Sequence, residues 1–127
     1  MLKKPENMNT RKGPLPIAVT GANFAAEVLE CPKPVLVEFW APWSRPCRVL
    51  DAVFQQIAQG WGRKIKAVKV NADDCLDLSL MYEIHSVPTV LCFVQGNPSR
   101  RIIGTASKEA ILDKIKPFCD KAYEKTP

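Results

Sequence analysis

A chain of 127 residues is long enough for one domain with a real core and too short for two comfortable ones. Its 46% hydrophobic and 24% charged residues are ordinary for a globular protein, and a dispersed net charge of +5 favours acidic partners only weakly. No apolar run reaches the ~18 residues of a membrane span, no aromatic-interleaved basic run argues for nucleic acid, and residues 1–8 lack the apolar stretch of a secretory signal.

The first 16 residues hold three prolines, a glycine and several charges, which predicts a flexible tail. Ile17-Ala18-Val19 follows as a short strand. Thr20 or Asn23 can cap a helix running to about Glu30, with Phe24, Val28 and Leu29 as its apolar stripe. Cys31-Pro32-Lys33-Pro34 ends it, because a proline disfavours a helical predecessor. Residues 35–40 are almost all apolar, the pattern of a strand buried on both faces. Val49, Leu50, Val53, Phe54, Ile57, Ala58 and Trp61 then give helical spacing, with Gly60 and Gly62 at its end. Residues 65–70 read as a strand, 71–74 as a polar turn, and Leu76, Leu80 and Met81 lie on a further helix. Val87-Pro88-Thr89 leads into a buried strand over 90–94. Gly96-Asn97-Pro98 is a hairpin turn with Arg101-Ile102-Ile103 as the returning strand. Ser107 can cap a last helix with Ile111, Leu112 and Ile115 on its face, which Pro117 should kink or end. The domain is expected over 17–120, with a tail at 121–127.

The order β-α-β-α-β-α-β-β-α implies parallel pairing for strands separated by helices and an antiparallel edge from the final hairpin. Five cysteines, Cys31, Cys47, Cys75, Cys92 and Cys119, are odd in number and show no Cys-x-x-Cys spacing. A disulfide framework and a metal knuckle are therefore not expected, and a reducing cytoplasm is the expected compartment. Cys92 reads as core, Cys31 and Cys119 as incidental positions, and Cys75 as an exposed thiol at a helix start.

Three separated motifs carry a resemblance that covers most of the chain. Phe39-Trp40-Ala41-Pro42-Trp43-Ser44-Arg45-Pro46-Cys47 resembles the Phe-Trp-Ala-x-Trp-Cys-Gly-Pro-Cys segment of the thioredoxin family. Tyr82-Glu83-Ile84-His85-Ser86-Val87-Pro88-Thr89 is similar to the family's cis-proline segment, and Phe93-Val94-Gln95-Gly96-Asn97 with Ile103-Gly104 to its closing hairpin. Lys69-Val70-Asn71-Ala72-Asp73 fits the family's third strand. The resemblance implies the thioredoxin fold, a mixed five-stranded α/β sheet with helices on both faces, and thiol–disulfide exchange on protein substrates.

The resemblance also assigns roles. Ser44 stands where the family keeps its attacking cysteine, and an oxygen there can neither ionise near neutral pH nor form a mixed disulfide. A capping role for Ser44 is preferred over a catalytic one. Cys47 matches the resolving cysteine. The first helical turn, Arg45 and Arg48 favour its thiolate and Glu38 opposes it. Two readings of Cys47 stay open: a single reactive thiol, or a buried and inert one. Glu38 matches the family's buried acid, and Lys69 is expected to pair with it. Pro88 matches the cis-proline, and with Val87, Trp43 and Gly104 it is expected to bind an extended peptide by strand addition. His85, the sole histidine, reads as an exposed loop residue.

The expected function is thus a thioredoxin-like protein with impaired dithiol exchange and single-thiol chemistry at Cys47. Two alternatives remain: a redox-independent peptide-binding or co-chaperone module, and an ordinary dithiol member altered from Cys to Ser at position 44. The expected partners are protein or peptide substrates, with a thioredoxin reductase or glutathione as reductant. No cofactor, metal, nucleic acid or membrane is expected, and the chain is expected to be a monomer.

Overall fold

A computed structural model describes residues 15–125, so all but the last two residues of the tail expected over 1–16 lie outside the described residues. The elements are β1 (Ile17–Ala18), a short π-helical α1 (Ala25–Leu29), β2 (Val35–Trp40), α2 (Arg45–Trp61), β3 (Lys66–Asn71), α3 (Leu76–Met81), β4 (Thr89–Val94), β5 (Asn97–Ile103) and α4 (Lys108–Lys125). The five strands form one sheet in the order β1-β3-β2-β4-β5. The pairs β1–β3 and β2–β3 are parallel, and β2–β4 and β4–β5 antiparallel.

The antiparallel entry of β4 departs from the expectation that every strand preceded by a helix pairs in parallel. The reason is length. Six residues of α3 rise only ~9 Å, whereas a six-residue strand runs ~20 Å. The chain does not travel back to the far end of the sheet, so β4 starts at the end where β3 finished.

Strand periodicity divides the core into two layers. Val35, Val37 and Phe39 of β2 face Phe24 and Val28 near α1 and Leu78 of α3, with Val68, Val70, Leu91 and Phe93 beside them. Phe24, Tyr82 and Phe93 make an aromatic trio here, with ring centroids 5.2–5.7 Å apart. On the other face Leu36, Ala67, Val90 and Cys92 pack against Leu50, Phe54, Ile57 and Ala58 of α2 and Ile111, Leu112, Ile115 and Cys119 of α4.

Several expectations shift. Val49 is exposed, because the 50-54-57 stripe points to the sheet and its neighbour lies a quarter-turn away. Cys75 is buried rather than exposed, and Cys31 and Cys119 belong to the core layers. Neither Thr20 nor Asn23 caps α1: Asn23 Oδ1 accepts from Thr20 N, and Glu30 N reaches back five residues to Ala25 O. The hairpin turn is Gln95-Gly96, both at positive φ, so Asn97 and Pro98 already lie in β5. Proline is tolerated there because β5 is an edge strand. Ser107 Oγ does accept from Ala110 N at the start of α4. Pro117 sits inside α4 without ending it, and the helix takes in 121–125. Pro117 and Asp113 are both exposed, so water can satisfy the carbonyl whose helical partner the proline removes.

Gly96 combines φ +84° with a position where a Cβ would lie 3.0 Å from the Leu29 carbonyl oxygen, whereas a Cβ on Gly60 meets nothing within 4 Å. Gly96→Ala should therefore lose about 1–2 kcal/mol in urea unfolding. Gly60→Ala, inside α2, should gain about 0.5–1 kcal/mol.

Candidate active site

The carboxyl end of β2 and the start of α2 meet through a four-residue step, residues 41–44. Ser44 has extended backbone, and its Oγ accepts from Cys47 N at 3.3 Å, while Pro46 occupies the first helical turn. Serine thus satisfies one of the unpaired amides at the helix start, and proline supplies no amide that needs satisfying. Both side chains of interest are enclosed: Ser44 is 4% exposed and Cys47 3%. Trp43, immediately before them, is 69% exposed, and its indole N–H donates to Asp73 Oδ2 at 2.8 Å. Arg45 and Arg48 lie at the surface, and the Arg48 guanidinium reaches Pro42 O at 3.4 Å.

The sheet places a second loop at the same end. Phe39 of β2 pairs with Thr89 of β4, so Pro88 stands one step further along, beside Trp40. The Val87–Pro88 bond is cis. Gly104 N donates to Pro88 O at 2.8 Å, and Gly104 adopts φ +88° to do so. Val87 is half-buried, Pro88 buried, and His85 exposed. Thr89 Oγ1 donates to Ser86 O and closes the loop.

Glu38 is fully buried on the α2 side of the sheet, and neither carboxylate oxygen has a hydrogen-bond partner among the described residues. Lys69 is its register neighbour on β3. The expected Glu38–Lys69 ion pair does not form. Instead, Lys69 Nζ pairs with Asp51 Oδ1 at 2.5 Å and lies 4.6 Å from the centre of the Trp40 ring. The physical reason is solvation. Lys69 and Asp51 side chains keep 22% and 34% of their surface, so that pair stays partly hydrated, whereas pairing at Glu38 would bury both charges. Burial then pushes the Glu38 carboxyl up to about 7, partly offset by Lys69 and reinforced by Asp51.

Asp51 is the residue that sequence reasoning missed. Its signal was present: it lies one turn after Cys47 on α2, on the side facing Lys69. Cys47, Asp51 and Lys69 line one cleft of about 440 Å³ with Trp40, Ala41, Pro42 and Arg48. No cluster of three metal-ligating side chains occurs among the described residues. Burial raises the thiol of Cys92, in the core, to about 12.

Burial links the proton on Glu38 to folding stability. The folded state holds this proton more tightly than the unfolded chain, so its contribution to stability is present below about pH 4.5 and is lost as pH rises through about 7. Glu38→Leu should remove that loss. The urea midpoint of the variant should change less between pH 5 and pH 8 than the parent's, and at pH 8 the variant should be more stable by an amount on the order of 3 kcal/mol.

The profile of the family described as "Thioredoxin" matches residues 16–117. Among curated proteins, the chain is 44% identical over 96 residues to the chloroplastic M-type thioredoxin of Triticum aestivum, covering 76% of this chain and 55% of that protein. It is 41% identical over 98 residues to thioredoxin 1 of Synechococcus elongatus, covering 77% and 92%. It is 38% identical over 100 residues to the thioredoxin of Pyropia yezoensis, covering 79% and 94%. The chain thus spans about half the length of the wheat protein and most of the other two. With the mixed sheet, the site at the β2–α2 step and these matches together, the chain belongs to the thioredoxin family of thiol–disulfide oxidoreductases.

Proposed function

We propose that this protein engages protein substrates at the β2–α2 step and the Pro88 loop, that two-thiol exchange is lost, and that only Cys47 performs sulfur chemistry. The observation that carries this reading is the Ser44 Oγ–Cys47 N contact. It supports the reading in which Ser44 stands where a first thiol would attack, and oxygen forms no mixed disulfide.

The chemistry left to Cys47 is a single exchange. Its thiolate attacks one sulfur of a disulfide, the new Cys47–S–S–R bond forms, and the other sulfur leaves as a thiolate. With no second thiol in the motif, only an external thiol such as glutathione can resolve the product. Cys47 is nearly enclosed, so reaction needs an outward movement of the first turn of α2 and should be slow. Glu38, whose burial raises its carboxyl to about 7, is the group proposed to take the Cys47 proton. Trp43, Val87, Pro88 and Gly104 serve as the peptide-docking edge. A reducing compartment, the cytoplasm by default, suits five free buried cysteines. A second reading, peptide binding without sulfur chemistry, is favoured by the same enclosure of Cys47, since Trp43 stays exposed while the thiol does not.

Insulin-disulfide reduction driven by dithiothreitol separates these readings. The parent chain should run close to the rate of dithiothreitol alone, and Ser44→Cys should exceed it by at least about tenfold, as a second thiol placed at a helix N-terminus requires. With oxidised glutathione, mass spectrometry should find one adduct on Cys47 of the parent and none at that position in Cys47→Ala. A parent as fast as Ser44→Cys would overturn the main reading. A parent with no adduct, alongside undiminished peptide binding by Cys47→Ala, would favour the second.

A further inference from the structure

The short helix α3 presents an apolar face that nothing in the described chain covers. Leu76, Leu80 and Met81 are 64%, 77% and 66% exposed, while Leu78 and Cys75 turn to the core. At ~100° per residue, Leu76, Asp77, Leu80 and Met81 fall within an arc of about 140°, so they form one continuous face. Three large apolar side chains on so short a helix are more than scattered surface residues.

The charge around this face is one-sided. Residues 71–84 contain Asp73, Asp74, Asp77 and Glu83 and no lysine or arginine, in a chain of net charge +5. No basic side chain forms an ion pair with Asp74 or Asp77 among the described residues. The neighbouring cation, Arg101, is committed to the backbone carbonyls of Tyr82 and Glu83. A cleft of about 360 Å³ between Thr20–Gly21 and the start of α3 is lined by Asp73, Asp74, Asp77 and Leu76. The face is also continuous with the site, because Asp73 accepts the Trp43 indole N–H.

We infer that the α3 face docks protein partners through a segment that carries both apolar and basic side chains. Leucine-like groups cover Leu76, Leu80 and Met81, and lysine or arginine meets Asp74 and Asp77. This names the partner class for the proposed function and rests on that reading only for the nearness of the docked segment to Trp43. The acidic rim steers and selects while the apolar groups hold, so acidic segments are rejected.

The test uses a short, fluorescein-labelled, cysteine-free peptide of leucine and lysine, its leucine–glutamate counterpart, and the full chain in fluorescence anisotropy. The lysine peptide should bind and the glutamate peptide should not. Asp74→Lys/Asp77→Lys should weaken the lysine peptide by at least about tenfold, and binding should fall in ~1 M salt, where the Debye length is ~3 Å. Leu76→Ser/Leu80→Ser, at exposed positions that leave the core untouched, should abolish binding with an unchanged circular dichroism spectrum. Equal binding of the two peptides, or unaltered affinity in either double variant, would overturn the inference. So would self-association of the parent in sedimentation that Leu76→Ser/Leu80→Ser removes, since a second copy would then be the occupant. Because the peptides carry no sulfur, Cys47→Ala should bind them like the parent. The docking result and the sulfur result therefore fail independently.

Discussion

Everything in this molecule hangs on β2 being buried on both faces. Five of its six residues are enclosed, and α2 and α4 cover one side while α1 and α3 cover the other. A strand in that position admits apolar residues freely and a charge only at cost. Glu38 is that exception, and it lies close to the end of the strand from which the chain steps into α2. Its burial is a consequence of the architecture. So is the preference of Lys69 for Asp51, because the partly hydrated pair avoids the desolvation that pairing at Glu38 would impose.

The same end of the sheet gathers the rest of the chemistry. The carboxyl ends of β2 and β3 and the amino end of β4 all arrive there, since β4 runs antiparallel to β2. This puts the Ser44 cap, the Cys47 thiol and the Pro88 loop at one end of the sheet, where the Lys69–Asp51 pair also ties β3 to α2. A helix start offers unpaired amides to whatever group stands at its cap. With sulfur there, those amides would support a thiolate. With oxygen there, they hold a hydroxyl in place, and Ser44 Oγ caps α2 through the amide of Cys47.

The α3 face illustrates a different balance. A short helix between two strands needs one side to seal the core, and Leu78 with Cys75 supplies it. The other side is free of that duty, and Leu76, Leu80 and Met81 stand exposed on it beside Asp77. Local negative charge in a basic chain, beside an exposed tryptophan, sets this end of the protein apart from the rest of its surface.

Much of this was legible from residue order. The apolar run at 35–40, the proline-marked step into α2, the Ser107 cap and the fold itself follow from periodicity, capping and three separated motifs, because each of those signals is local. The direction of β4, the tolerance of Pro117, the burial of Cys75 and the exposure of Leu80 were not legible, because each depends on what lies across the sheet or outside the helix. The site divides the same way. The sequence alone determined that position 44 carries a hydroxyl and position 47 a thiol, since that is a matter of atoms. Only the tertiary structure decided that Lys69 turns to Asp51 and leaves Glu38 alone, since the outcome depends on how much water each carboxylate keeps.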